Sequence, residues 1–392
     1  MTYSLDRRML ALILILICFV TGRPEAAQAG DSTTWLDSSQ SQDSSGFAQA
    51  ISPRTWEFPQ DFGPHEAYQT EWWYYTGNLE TPEGRPFGFQ LTFFRRGLQP
   101  EQGEVTDAAV SPWRTNQIYS AHFTVSDIDQ QRFYPEERFS RGSVGLAGAE
   151  AEPYQVWLED WSATETADGQ VRLQADTSEV AIDLVLSQKF PPILHGDRGL
   201  SQKGLEPGAA SYYYSFVQQP TQGTITLQGQ TYPVTGVAWK DHEYASNSLT
   251  AGTVGWDWFS IQFDNGAALM IYLLRHEDGS LEPTSAGTYV SADGVITPLS
   301  WEDWRLDVLD TWKSAISGAD YPAQWRLSIP KLELTLRGKP LMPNQELTTS
   351  TANYWEGAVG FQGKLQGELV DGKGYVELTG YADRLDSLLA KN

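Results

Sequence analysis

Cysteine is almost missing from this chain: Cys18 stands alone among 392 residues. Histidine is sparse as well, with five residues and no His-Glu-x-x-His or other paired spacing. Basic residues number 27 against 50 acidic ones. Apart from Met9–Val20, no apolar run approaches the roughly twenty residues that a membrane-spanning helix needs. Each shortage excludes something. Without a cysteine pair there is no disulfide framework. Without grouped histidines there is no recognisable metal centre, and no metal is expected. No phosphate-cradling glycine loop or dinucleotide fingerprint is present, so no cofactor is expected either.

The apolar run itself assigns a compartment. Arg7 and Arg8 precede it, and Ala27-Gln28-Ala29 follows with the small residues of a secretory cleavage site. Residues 1–29 therefore read as a signal peptide. A lipoprotein, acylated at Cys18, is the alternative, but Leu16-Ile17 lacks the small residue such processing favours. Export without disulfides points to a bacterial periplasm. Removal of the segment takes Arg7, Arg8, Arg23, Asp6 and Glu25, so 24 basic and 48 acidic residues leave a net charge of −24. Such a surface repels nucleic acid and anionic headgroups. It leaves an apolar small molecule as the expected partner, with at most transient contact with a membrane or the export machinery.

Residues 30–53, rich in Ser, Asp and Gln at their start, read as a disordered lead-in. The rest is β in pattern. Phe87–Phe94, Ile118–Val125, Val180–Leu186 and Leu269–Leu274 are rich in aromatic and β-branched residues, and Thr224–Gln228 and Lys331–Arg337 alternate. Asp-Gly and Asn-Gly pairs between such runs supply hairpin turns. Strands at this spacing, without intervening helices, predict antiparallel barrels or sandwiches. A weak repeat relates Trp72–Arg95 to Trp256–Arg275, and Gly229–Gly236 to Gly372–Gly380. The repeat predicts two related domains, residues 54–247 and 248–388. Trp301–Trp312 fits both helical and strand spacing.

Chemistry concentrates where acids sit among rings: Glu71-Trp72-Trp73-Tyr74, Trp239-Lys240-Asp241-His242-Glu243-Tyr244 and Trp256-Asp257-Trp258. A carboxyl group near indole faces is poorly hydrated, so its pKa rises and it becomes a proton donor. Indole faces also stabilise cations. The plain alternative is a β-core with rim acids paired to Arg or Lys, since aromatics favour strands anyway. On an extended segment Asp241 and Glu243 share one face and His242 takes the other. Asp241, His242, Glu243 and Asp257 are the catalytic candidates, with a salt bridge from Asp241 or Glu243 to Arg198 or Lys203 as the structural alternative. Asp257 should oppose the face of Trp256 and Trp258, which would make it structural if the ring pair lines the pocket. Ligand-contact candidates are Glu71, Trp72, Trp73, Tyr74, His122, Trp239, Tyr244, Trp256 and Trp258. Glu71 could instead pair with Arg95 or Arg96. Ser201 in Gly199-Leu-Ser-Gln-Lys-Gly204 misses the hydrolase nucleophile elbow by one position.

Several long segments carry a family likeness. Phe58-Pro-Gln-Asp-Phe-Gly-Pro-His65, Thr70–Leu79, His195–Gly204, Ala210–Ser215, Gly236–Glu243, Gly255–Ser260 and Tyr354–Val359 together resemble the exported AttH-like proteins. These are often labelled predicted secreted hydrolases and are related to carotenoid 1,2-hydratases. The resemblance spans the mature chain. It implies an all-β fold of two tandem lipocalin-like antiparallel barrels, the first carrying the hydratase-type unit, with 301–312 mostly strand. It further implies an apolar pocket and cofactor-free addition of water to a polyene, isoprenoid or lipid-like ligand. A non-catalytic lipid or pigment carrier and a secreted hydrolase are the rival expectations. N-terminal sequencing of the exported protein should begin at Gly30; a lipid mass on Cys18 would instead show anchoring.

Overall fold

The computed structural model describes residues 44–100, 115–246, 249–250, 252–350 and 353–383. The expected signal peptide, with Cys18, and most of the expected lead-in lie outside them. Ahead of Arg54, Phe47 and Ala50 are buried, and Ala48 exchanges hydrogen bonds with Ala67 and Ser246.

Two antiparallel sheets hold all the named strands of the described residues. The first begins with β1 (Thr70–Glu80), β2 (Pro86–Gly97), β3 (Gln117–Asp127) and β4 (Arg132–Arg141). It continues through β5 (Ala147–Ala151), β6 (Tyr154–Leu158), β7 (Trp161–Glu165), β8 (Val171–Asp176) and β9 (Val180–Leu186). Two short strands, β10 (Ile193–Leu194) and β11 (Leu200–Gln202), lead into the long pair β12 (Ala210–Leu227) and β13 (Gln230–Ala245). The second sheet holds β14 (Thr253–Phe263), β15 (Ala268–His276), β16 (Ala286–Val290), β17 (Ile296–Ser300) and β18 (Arg305–Lys313). It ends with β19 (Asp320–Ile329), β20 (Leu334–Pro340), β21 (Glu346–Thr348), β22 (Asn353–Leu365) and β23 (Glu368–Leu378).

The sheets repeat one topology. The order β4-β3-β2-β1-β13-β12-β9-β8-β7 in the first corresponds to β17-β16-β15-β14-β23-β22-β20-β19-β18 in the second. The first carries β6 and β5 beyond β7 and rolls until β2, β3 and β4 meet β6, which nearly closes a barrel. The second stops at β18 and forms a half-barrel. This is the tandem lipocalin-like architecture. Of the ambiguous segment, Trp301–Asp303 is one 3₁₀ turn and Arg305–Lys313 is strand. The alternating run expected from Lys331 starts three residues late. Pro330–Leu332 forms a 3₁₀ turn and Glu333 adopts φ 51°, which reverses the chain before β20.

Strand alternation sorts the aromatics by face. In β1, Trp73 and Tyr75 point into the first barrel and join Phe89, Leu91, Phe93, Phe123 and Trp161 in a filled core. Tyr74 points outward and joins Trp239, Trp258, Met270, Tyr272 and Tyr375 in a third core between the barrels. The outer faces of β1–β3, β12 and β13 therefore pack on those of β14–β16, β22 and β23. Gly88 allows this approach, since a Cβ there would stand 2.8 Å from the Tyr375 hydroxyl and 2.9 Å from the Ala358 methyl. Hydrogen bonds cross the junction from Asn78 to the Gly374 carbonyl (3.1 Å) and from Gln262 to the Val217 and Ala238 carbonyls (2.9 and 2.8 Å).

Inside the first barrel, Lys240 is buried with its ammonium near the rings of Tyr154 (4.2 Å), Tyr75, Phe62 and Phe216. Ring faces favour the cation by at most about 2 kcal/mol, and burial dominates, pushing the amine down to about 7 from 10.5. The unfolded chain then holds a proton between those values that the folded chain releases, so stability should rise across that window. Replacement Lys240→Met should remove this slope, of up to about 1.4 kcal/mol per pH unit. Urea denaturation of both proteins at pH 6.5 and 9.5 measures it.

Candidate active site between the barrels

The junction encloses a mostly apolar cavity of about 140 Å³. Trp72, Tyr74 and Phe94 wall it from the first sheet, and Trp256, Trp258 and Leu274 from the second. Its polar lining includes His122, Lys203, Tyr213, Asp241, Glu243, Tyr354 and Glu377. A single barrel could not make this site, because every one of these residues lies outside a barrel core.

Register explains the placement of the acids. Tyr74 and Ser215 flank Asp241 across the β1–β13–β12 ladder. Trp258 and Glu356 flank Glu377 in the same way across β14–β23–β22. The internal repeat has thus put one carboxyl group at the same position of each sheet, and packing the two outer faces together brings both into one cavity. Each receives an indole N–H at 2.6 Å, Asp241 from Trp239 and Glu377 from Trp256.

Asp241 Oδ1 also accepts the Ser215 hydroxyl, and Oδ2 accepts the Tyr213 hydroxyl at 2.8 Å. Burial nevertheless pushes Asp241 up to about 7, aided by the neighbouring Glu243 charge and opposed by its three donors. Burial likewise raises Glu377 to about 7, with Asp241 and Glu243 adding to it. Glu356 sits behind the wall, where it accepts the Tyr74 hydroxyl at 2.6 Å; burial and Glu377 hold it well above the carboxylate range. Glu243 differs from these three. It meets the Lys203 ammonium at 3.2 Å and accepts the Ser211 hydroxyl. Burial alone would lower Lys203, but Glu243, joined by Tyr272 and Asp241, outweighs it and raises that group. The cavity therefore holds a fixed ion pair beside carboxyl groups that carry protons near neutrality.

Of the residues singled out in the sequence, Trp72, Tyr74, His122, Asp241, Glu243, Trp256 and Trp258 meet at this cavity. His122 bonds the Tyr354 hydroxyl at 2.7 Å and Glu137 at 3.3 Å. Trp239 stands one layer back, donating to Asp241 and packing edge-on against Trp258. The other five lie elsewhere. Asp257 opposes the Trp256 and Trp258 face, as its place between them requires, and is held by Arg275 (2.9 Å) and the Tyr381 hydroxyl (3.1 Å). Trp73 belongs to the barrel core. Glu71, His242 and Tyr244 alternate inward and join a separate network. The Glu71 carboxylate accepts from Arg95 (2.9 Å), from the His65 backbone N–H and ring Nδ1 (2.8 Å each) and from His242 Nε2 (2.8 Å). Burial alone would raise Glu71, but Arg95 and His65 hold it well below the carboxylate range. His65 lies between the carboxylates of Glu71 and Asp61, which outweigh burial and raise it, and its ring stacks on Tyr244 at 3.7 Å. Burial lowers His242 to about 4, so a neutral imidazole donates to Glu71. The donor atoms of His65, Glu71 and His242 lie within 4.8 Å of one another, close enough for metal ligands. Hydrogen bonds and Arg95 already satisfy them. Ser201 is buried and bonds the Tyr272 hydroxyl at 3.1 Å rather than Lys203 or His242.

Glu356, Glu377, Tyr213, Ser215 and His195 were missed as site residues. Glu356, Tyr213, Ser215 and His195 lie in segments that carried the family likeness, yet nothing in their local pattern marks them chemically. The pairing of β13 with β12 and of β23 with β22 reveals Tyr213, Ser215, Glu356 and Glu377, and contacts with Ser215 and Thr288 reveal His195.

Fold and site together define a tandem lipocalin-like protein with an acid-lined apolar cavity at the barrel junction. The chain belongs to the AttH-like family, whose model matches residues 49–381. The crystal structure of a putative AttH from Nitrosomonas europaea is 35% identical and covers 86% of this chain and all of that one, with a TM-score of 0.76. Kievitone hydratase from Fusarium solani subsp. phaseoli is 24% identical over 224 residues, 54% of this chain and 61% of that relative's own length. The crystal structure of kievitone hydratase from Nectria haematococca shares the fold at 14% identity, covering 87% of this chain and 98% of that one, with a TM-score of 0.63.

The inward network yields a stability prediction. Glu71→Gln leaves Arg95 buried without its counter-charge and should cost about 3–5 kcal/mol, read from the urea midpoint.

Proposed function

We propose that the cavity binds an alkene-bearing apolar small molecule and adds water to it by acid catalysis without a cofactor. The observation that carries this reading is Asp241, a fully enclosed carboxyl group with a pKa near 7 among indole and phenol rings. A general acid works best when its pKa lies near the working pH. Transfer of the Asp241 proton to one alkene carbon breaks the O–H bond, forms a C–H bond and leaves a carbocation. The faces of Trp72, Trp256 and Trp258 can stabilise that charge. Water then adds to the cationic carbon, and the excess proton on its oxygen returns to a carboxylate, regenerating the acid. The net change is gain of one water.

Size narrows the ligand. A cavity of about 140 Å³ is on the scale that encloses a benzene-sized guest. It suits a short branched alkene end, such as a prenyl group, with the rest of the molecule outside. The relationship to kievitone hydratases supports the reaction class, and the pocket chemistry supports it independently.

A prenylated phenol is a suitable probe. Wild-type protein should convert it to a product heavier by one water, with a rate that falls as pH rises through about 7, because the donor is the protonated form. Asp241→Asn should slow turnover by about 10²–10⁴-fold while binding persists. Full turnover by Asp241→Asn would refute the assignment. Binding without water gain by the wild type would make the protein a carrier.

A further inference from the structure

Behind Asp241 lies a buried chain of hydroxyl and imidazole groups that the proposed reaction does not use. His195 follows β10, its ring enclosed at 1% exposure. Its Nε2 lies 2.6 Å from Ser215 Oγ and its Nδ1 2.8 Å from Thr288 Oγ1, which comes from β16 of the opposite sheet. The backbone around it is fixed by bonds from His195 N to the Tyr213 carbonyl and from Gly199 N to the His195 carbonyl. Gly196 follows at φ +66°, where a Cβ would fall 2.1 Å from the Leu200 carbonyl, so no other residue fits that turn.

We propose that His195 is a positioning residue for the Asp241 acid, acting through Ser215, with Thr288 selecting its tautomer. The inference rests on the reading of Asp241 as proton donor. Proton bookkeeping supports it. Burial and the Lys203 charge lower His195 to about 3, so the ring is neutral, with one donor and one acceptor nitrogen. When Asp241 is ionised, the one proton of Ser215 must go to Oδ1. Nε2 must then donate to Ser215, and Nδ1 must accept from the Thr288 hydroxyl. Trp239, which can only donate, occupies Oδ1 as well. Oδ1 is therefore a permanent acceptor. Oδ2, whose partner is the pocket-lining Tyr213 hydroxyl, becomes the atom that takes up and delivers the proton. Tyr213 is itself oriented by the Trp258 N–H at 3.1 Å. A free Ser215 hydroxyl would leave two oxygens competing for the proton and weaken the hold on the anion. The other ionisable groups around Asp241 are Glu243 with Lys203, Glu356 and Glu377. They remain the same in every variant compared.

The test follows the infrared band of the protonated Asp241 carboxyl against pH in the full mature protein, using isotope-labelled aspartate and Asp241→Asn for assignment. His195→Leu should raise the Asp241 midpoint by about one unit, a tenfold change in proton affinity, because the anion loses an aimed donor. His195→Gln, with an N–H for Ser215 and a carbonyl for Thr288, should restore it. Ser215→Ala should produce the same rise, and adding His195→Leu to it should change nothing further. An unmoved midpoint in a natively packed His195→Leu protein overturns the proposal. So does an equal shift from His195→Leu in the Ser215→Ala background. Should His195→Leu not fold, an unmoved midpoint in Ser215→Ala alone overturns it. No substrate enters this titration, so failure of the hydration reaction with the prenylated phenol is a separate result.

Discussion

The outer face of a lone lipocalin-like barrel meets water, whereas here it meets the outer face of a second barrel. That packing is the constraint on which the site depends. Side chains that strand alternation would expose on β1, β12 and β13 are covered by β14, β22 and β23, and carboxyl groups among them lose their hydration. The cost of an ionised carboxylate in such surroundings is high, and protonation near neutral pH relieves it. Asp241, Glu356 and Glu377 share this fate. Glu243 instead forms an ion pair with the Lys203 ammonium at 3.2 Å. A cavity that needs both sheets also needs their relative placement, which Gly88 and the crossing amide bonds of Asn78 and Gln262 hold.

The two faces of each strand divide the work. Inward, Glu71 with Arg95 in the first barrel and Asp257 with Arg275 in the second form closed ion pairs, each fully engaged by its own partners. Buried pairs of this kind hold a single arrangement without adding much net stability. Outward, burial raises Asp241, Glu356 and Glu377, while Glu243 keeps the Lys203 ammonium as its partner. The repeat doubles the arrangement, so that Asp241 and Glu377 occupy corresponding places. The two positions differ in their supports. Ser215 stands beside Asp241 where Glu356 stands beside Glu377, so one acid has a neutral donor next to it and the other has another acid.

The strands, the repeat and the two faces of Trp239–Tyr244 were legible because they are properties of local pattern. Period-two alternation states that Asp241 and Glu243 share a face and that His242 does not, and the same rule separates Asp257 from Trp256 and Trp258. What alternation leaves open is which face is the core and which meets a ligand. Trp73 and Trp72 look equivalent in sequence, yet the first fills a barrel and the second walls the cavity. Glu71 and Asp241 are both buried acids, yet Arg95 and His65 draw one far down while the other rises. A lipocalin-like likeness suggests a ligand inside a barrel lumen. In the first barrel Phe89, Leu91, Phe93 and Trp161 fill that space.

The sequence by itself determined the strands, the tandem repeat, the acid-rich aromatic clusters and the family, because all of these rest on residue type and spacing along one chain. The tertiary structure decided where the cavity lies, which acids enter it and what their proton affinities are. Those depend on neighbours more than a hundred residues away, such as Glu377 from β23 facing Asp241 from β13. Burial and Coulomb interactions act through space, and no pattern read along the backbone encodes the distance between two outer faces.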